Sequence, residues 1–242
     1  MTTIAVVSAG LSEPSSTRLL ADRLGEAAVA ALVAEGTPAH VLHVELRPLA
    51  HEITDAMLTG FAAPALSAAT AAVVEADAVV FVTPIFTAGV SGLAKSFLDV
   101  LDKDSLADLP VLLGATGGTS RHSLAIDHAL RPVFAYLRAA VVPTGVFAAT
   151  DDWGSDGDAA ALDGRIRRAG ADLAWAIRAS RRAPQEADAL PATVDFASLL
   201  GGLGHRPGPL TPRRALRRTT GFVGSECGRL AARSSVGSGT SS

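Results

Sequence analysis

Hydroxyl-bearing and glycine residues gather in three short segments of this 242-residue chain, each at the end of an apolar run. The first is Ser8-Ala9-Gly10-Leu11-Ser12-Glu13-Pro14-Ser15-Ser16-Thr17, directly ahead of a helical pattern. Free N–H groups and a partial positive charge at the start of a helix make phosphate the natural guest. The segment lacks the G-x-G-x-x-G spacing of a dinucleotide loop and the G-x-x-x-x-G-K-[ST] of a triphosphate loop. Gly92-Leu93-Ala94-Lys95-Ser96 has neither the latter spacing nor a strand directly before it. Hydroxyls with helix N–H groups suit a terminal monophosphate instead. The same residues serve equally as a capping cluster, with Ser15, Ser16 or Thr17 as N-cap.

The second segment is Thr83-Pro84-Ile85-Phe86-Thr87-Ala88-Gly89-Val90-Ser91-Gly92. A buried strand running into proline, an aromatic and two glycines makes a shaped, exposed turn. Its backbone could meet a flat heterocycle and Phe86 could pack on it; alternatively the loop only connects, and Phe86 covers the core. The third segment is Thr116-Gly117-Gly118-Thr119-Ser120-Arg121-His122. Two glycines allow close approach of backbone to a ligand. Arg121 and His122 fall in the first turn of the helix expected next, an unfavourable place for cations. They serve an anion such as a cofactor phosphate, or else point into solvent or pair with Asp127 or Glu13. In open α/β sheets ligands bind outside the carboxyl ends of the strands. Three such loops at one edge outline a pocket for a phosphate, a ribityl-like chain and a flat ring, which is the shape of flavin mononucleotide (FMN).

Other chemistry finds little footing. His40 and His43 are three apart on an expected strand, so they face opposite sides, and no cysteine lies near; no metal site is expected. Asp151, Asp152, Asp156 and Asp158 read as an acidic loop, either solvated or a cation site. The single cysteine, Cys227, allows no internal disulfide and fits a reducing, cytoplasmic setting. A formal charge of -3 argues against a nucleic-acid partner. No apolar stretch has the length of a signal or a membrane span, so no membrane partner is expected.

The elements that must position these loops alternate regularly. Strands are expected at 4–8, 41–46, 78–83, 110–115 and 140–147, the third continuous and apolar and hence buried on both faces. Helices are expected at 18–34, within 54–75 with a break near Pro64, at 91–101, 120–139 and 158–181. Pro143 puts the fifth strand at an edge or in a bulge. Five strands alternating with helices imply a parallel sheet covered on both faces. The expectation is a flavodoxin-like three-layer α/β sandwich with strand order 2-1-3-4-5, over residues 1–200. Residues 201–242 carry seven arginines against one acid, Glu226, among Pro, Gly and Ser, and read as a disordered tail.

Several motifs resemble the NADPH-dependent FMN reductase family. Pro84-Ile85-Phe86 followed by Gly92-Leu93-Ala94-Lys95-Ser96-Phe97-Leu98-Asp99 is similar to the pattern P-x-[YF]…G-x-x-K-x-x-x-D. The runs 115–124 and 130–138 resemble an actinobacterial subgroup that supplies reduced flavin to luciferase-like monooxygenases. The first loop departs from the family's G-S-x-R-x-x-S: its arginine is missing, and the loop is one residue longer. By position, Ser15, Ser16 and Thr17 take the phosphate, with Ser8 and Leu11 of the same loop also against the cofactor. Thr83, Pro84, Ile85, Phe86, Thr116, Gly117 and Gly118 then border the isoalloxazine, and Arg121 meets a cofactor phosphate. The resemblance implies hydride transfer from NADPH or NADH to flavin N5, with no catalytic side chain required. It also implies a homodimer or tetramer. FMN as a bound group serving quinone, azo or chromate reduction, or a non-enzymatic flavodoxin-like electron carrier, are the other roles the residues admit.

Overall fold

β-branched runs broken by Gly, Pro and Ser set the element order, and the computed structural model, which describes residues 1–154 and 156–182, follows it closely. The strands are β1 (Thr2–Ser8), β2 (Ala39–Glu45), β3 (Ala78–Phe86), β4 (Gly89–Val90), β5 (Pro110–Gly117), β6 (Ala140–Val141) and β7 (Val146–Ala149). The helices are α1 (Ser16–Ala34), α2 (Ala50–Thr59), α3 (Pro64–Val74), α4 (Gly92–Asp99), α5 (Arg131–Tyr136) and α6 (Asp156–Ala179). The sheet runs β2-β1-β3-β5, with β6 and β7 both beside β5 and all of these pairings parallel. With β6 and β7 taken as one interrupted strand, this is the flavodoxin-like order. Every residue of β3 but Phe86 is buried, as a central strand requires.

Strand periodicity divides the core in two. Ile4, Val6, Val80 and Val82 pack against Leu20, Leu24 and Ala28 of α1 and Leu162, Ile166 and Leu173 of α6. Ala5, Val7, Val79 and Phe81 face the other way, against residues of α2, α3, α4 and α5. There Phe81 meets Phe134 edge-on, at a centroid distance of 5.1 Å. Gly60 ends α2 with φ +78°, and Pro64 opens α3 at a position where its missing N–H costs nothing. The two helices are bent by 93°, and no single helix among the described residues is long and apolar enough to cross a membrane.

Three expectations need correction. Residues 120–139 are not one helix: a 3₁₀ turn at Ser120–His122 is followed by a π-helical turn at Ile126–Leu130 and then α5. Pro132 accounts for the π turn, because it brings no N–H and its ring crowds the carbonyl four residues earlier, and Arg131 N–H donates to Ile126 O five residues back. The fifth strand splits at Pro143 into β6 and β7, and Arg131 donates to the freed carbonyls of Val142 and Pro143 at 3.0 and 3.1 Å. The acidic stretch is not one loop, since Asp156 and Asp158 lie in α6. The arginine-rich run 201–242 lies outside the described residues.

Candidate functional site

Register alone brings the three segments together. Ser8 pairs with Val82, Thr83 with Ala115, Pro84 with Thr116 and Gly117 with Ala149, so the strand ends lie in step along one edge. The strands run further than their apolar runs suggest. Thr83, Pro84, Ile85 and Phe86 belong to β3, and Thr116 and Gly117 to β5. Gly118 is therefore the first loop residue of its segment.

The first segment is a capped helix start. Ser15 is the N-cap, extended at φ -117°, and its Oγ accepts the Arg18 N–H at 3.2 Å. That oxygen accepts as a cap while its O–H is still able to donate. The N–H groups of Ser16 and Thr17 have no acceptor among the described residues, and the first turn holds no acid. Gly10 leaves room for the cap: a Cβ there would sit 2.1 Å from Ser15 Oγ and would displace that hydroxyl. Hydroxyl and amide donors with no opposing carboxylate in that turn fit a phosphate monoester.

Thr17 Oγ1 and Thr116 Oγ1 are hydrogen-bonded at 2.8 Å, both buried. This bond ties the start of α1 to the end of β5 across 99 residues of sequence. Ala9 N–H donates to Val82 O at 3.0 Å and fastens the same loop to β3. Ser8 is buried and Leu11 exposed.

The second segment turns back on itself. β4 pairs antiparallel with the end of β3, Ile85 with Val90 and Phe86 with Gly89. Thr87 and Ala88 make the tight turn at φ +50° and +61°. Left-handed backbone is costly for a β-branched residue, and hairpins of this kind prefer Asn-Gly. The hairpin was illegible for that reason. Phe86 stands half exposed beside the turn and does not cover the core. Thr83 is fully buried; its hydroxyl donates to Pro84 O at 3.0 Å or to Ser91 Oγ at 3.2 Å. Ser91 Oγ caps α4 through Ala94 N–H at 3.2 Å. Ser91 thus fixes this corner, a role that only its place ahead of a helical pattern could have signalled.

In the third segment a Cβ on Gly117 would come 2.9 Å from Phe147 Cζ, whereas one on Gly118 would meet nothing within 4 Å. Thr119 caps the short turn by accepting Arg121 N–H at 3.4 Å. The two carboxylates named as alternative partners of Arg121 and His122 are engaged elsewhere: Asp127 with Arg131 and Glu13 with Arg47. Neither Arg121 nor His122 has an acidic partner among the described residues. Arg18 is committed, to Asp22 at 2.7 Å and to Glu45. Burial alone would lower its pKa, but these two carboxylates outweigh that and raise it, so it stays charged. No cluster of metal-ligating residues occurs among the described residues.

The family model for NADPH-dependent FMN reductases matches residues 2–154. NADH-dependent FMN reductase SfnE of Pseudomonas putida is 35% identical over 167 residues, 69% of this chain and 87% of that protein. An FMN reductase (NADPH) of Pseudomonas aeruginosa is 33% identical over 150 residues, 62% of this chain and 78% of its own. A solved oxidoreductase of Corynebacterium diphtheriae is 46% identical with a TM-score of 0.71, over 74% of this chain and 98% of that one.

Proposed function

This chain belongs to the NADPH-dependent FMN reductase family and is an NAD(P)H:FMN oxidoreductase, and from that premise we propose that it reduces FMN as an exchanging substrate and hands it to a flavin-dependent, luciferase-like monooxygenase. The observation that carries the exchange is the contrast between a firmly tied phosphate loop and the open edge at Gly118. FMN supplies the hydride-accepting centre when bound. The protein's part is positioning. Ser15, Ser16 and Thr17 donate to the phosphate oxygens. Thr83 to Phe86 and Thr116 to Gly118 flank the ring system, with Ser8 and Leu11 at the floor and rim of the first loop. The buried Thr17–Thr116 bond holds these two halves at a fixed spacing. No side chain is asked to act as nucleophile or general acid.

Arg121 takes the extra phosphate of NADPH in this reading, and a second copy of the chain completes the site in a dimer or tetramer. The cytoplasm, where reduced nicotinamides are plentiful, is the expected setting. The full chain, dialysed free of flavin, should be colourless and should oxidise NAD(P)H at a rate that saturates with added FMN. Stoichiometric flavin that survives dialysis, with a rate indifferent to added FMN, would contradict the exchange.

A further inference from the structure

We propose that Asp152 and Arg165, outside the three site loops, act as a clamp that sets the position of the Gly117–Gly118 edge and thereby the affinity for FMN. The clamp starts on α6. Arg165 Nη1 donates to Phe147 O at 2.8 Å, and Arg165 Nη2 pairs with Asp152 Oδ1 at 2.5 Å. The other carboxylate oxygen, Asp152 Oδ2, accepts the backbone N–H of Ala149 at 2.7 Å. One ion pair therefore grips both ends of a short stretch of β7.

That stretch is where β7 meets the site. Ala148 pairs with Thr116 and Ala149 with Gly117. Phe147 packs so closely behind Gly117 that a Cβ there would lie 2.9 Å from its ring. The position of Gly117 is thus set from the side by Ala149 and from behind by Phe147, and both are held by the clamp. β7 is only four residues long and is cut off from β6 by the break at Pro143, so its ladder alone is a weak anchor. Asp152 has a relative side-chain exposure of 20% and Arg165 of 42%, so the pair is partly shielded from solvent. A backbone donor and a backbone acceptor at its two ends make it more than a surface ion pair.

The inference rests on the reading that Thr116 to Gly118 border the flavin, and its test separates the two. Four full-length variants are compared for FMN affinity by fluorescence quenching, for kinetics and for thermal stability: Asp152→Ala, Asp152→Asn, Arg165→Lys and Gly117→Ala. Loss of the clamp by Asp152→Ala should weaken FMN binding about tenfold. The KM for FMN should rise with it, while kcat at saturating FMN changes little. Asp152→Asn keeps an acceptor for Ala149 N–H and Arg165→Lys keeps the charge, so each should retain part of the affinity. A fall in thermal stability with unchanged FMN affinity in Asp152→Ala and Asp152→Asn would overturn the clamp, provided that Gly117→Ala weakens FMN. If Gly117→Ala also leaves FMN affinity unchanged, the placement of the loop itself is wrong and the clamp falls with it.

Discussion

The two ends of the site are built on opposite plans. Around the loop after β1 four polar side chains are engaged within the protein. Ser15 caps α1, Thr17 bonds Thr116, Glu13 pairs with Arg47 and Arg18 with Asp22 and Glu45. Around the loop after β5 the backbone is held, but Gly118 faces open space and Arg121 and His122 lack acidic partners among the described residues. Preorganised donors bind an anion without the cost of ordering them. On the proposed reading, the fixed end takes the phosphate of FMN and the open end meets partners that come and go.

Breaking the contrast at the open end should have the largest effect. Gly117→Leu drives a branched side chain into Phe147, which should cost about 1–3 kcal/mol of stability and abolish measurable FMN binding in titrations. Thr116→Val attacks the tie between the ends. It leaves the buried Thr17 hydroxyl without its partner, at a cost of about 1–3 kcal/mol in chemical denaturation, and should raise the KM for FMN.

Ser15→Ala tests the fixed end. Loss of the cap should cost about 1 kcal/mol, and the variant's preference for FMN over riboflavin should shrink, since only FMN carries the phosphate. Arg121→Ala tests the open end with a smaller change: the KM for NADPH should rise about fivefold, equivalent to about 1 kcal/mol, with the KM for NADH nearly unchanged. The smallest effect is expected from deleting residues 201–242, which should leave FMN reductase kinetics unaltered.

The same contrast separates what was legible in the sequence from what was not. The sheet order could be read because continuous apolar runs such as 78–83 and helical spacing such as 18–34 are strong local signals. Single-residue chemistry narrowed the N-cap to Ser15, Ser16 or Thr17 and marked Pro143 as a disturbance of an edge strand, but it showed neither the choice of Ser15 nor the full split into β6 and β7. The β4 hairpin could not be read, because Thr87 and Ala88 adopt left-handed backbone that neither residue advertises. The long helix expected at 120–139 begins instead with a separate 3₁₀ turn and takes a π turn ahead of Pro132, and apolar spacing signals neither. The Thr17–Thr116 bond joins residues 99 apart, and the Asp152–Arg165 pair joins residues 13 apart on either side of the start of α6; no helix or strand spacing reveals either pair.

The most direct test of the central claim is steady-state oxidation of NADPH and NADH by the flavin-free full chain, with FMN and riboflavin each varied as acceptor. The account predicts a rate that is negligible without flavin, saturates with FMN at low concentration, and needs much more riboflavin to reach the same level. Equal use of riboflavin and FMN would contradict a phosphate held by Ser15, Ser16 and Thr17, and no flavin-dependent oxidation of either nicotinamide would contradict the reductase itself.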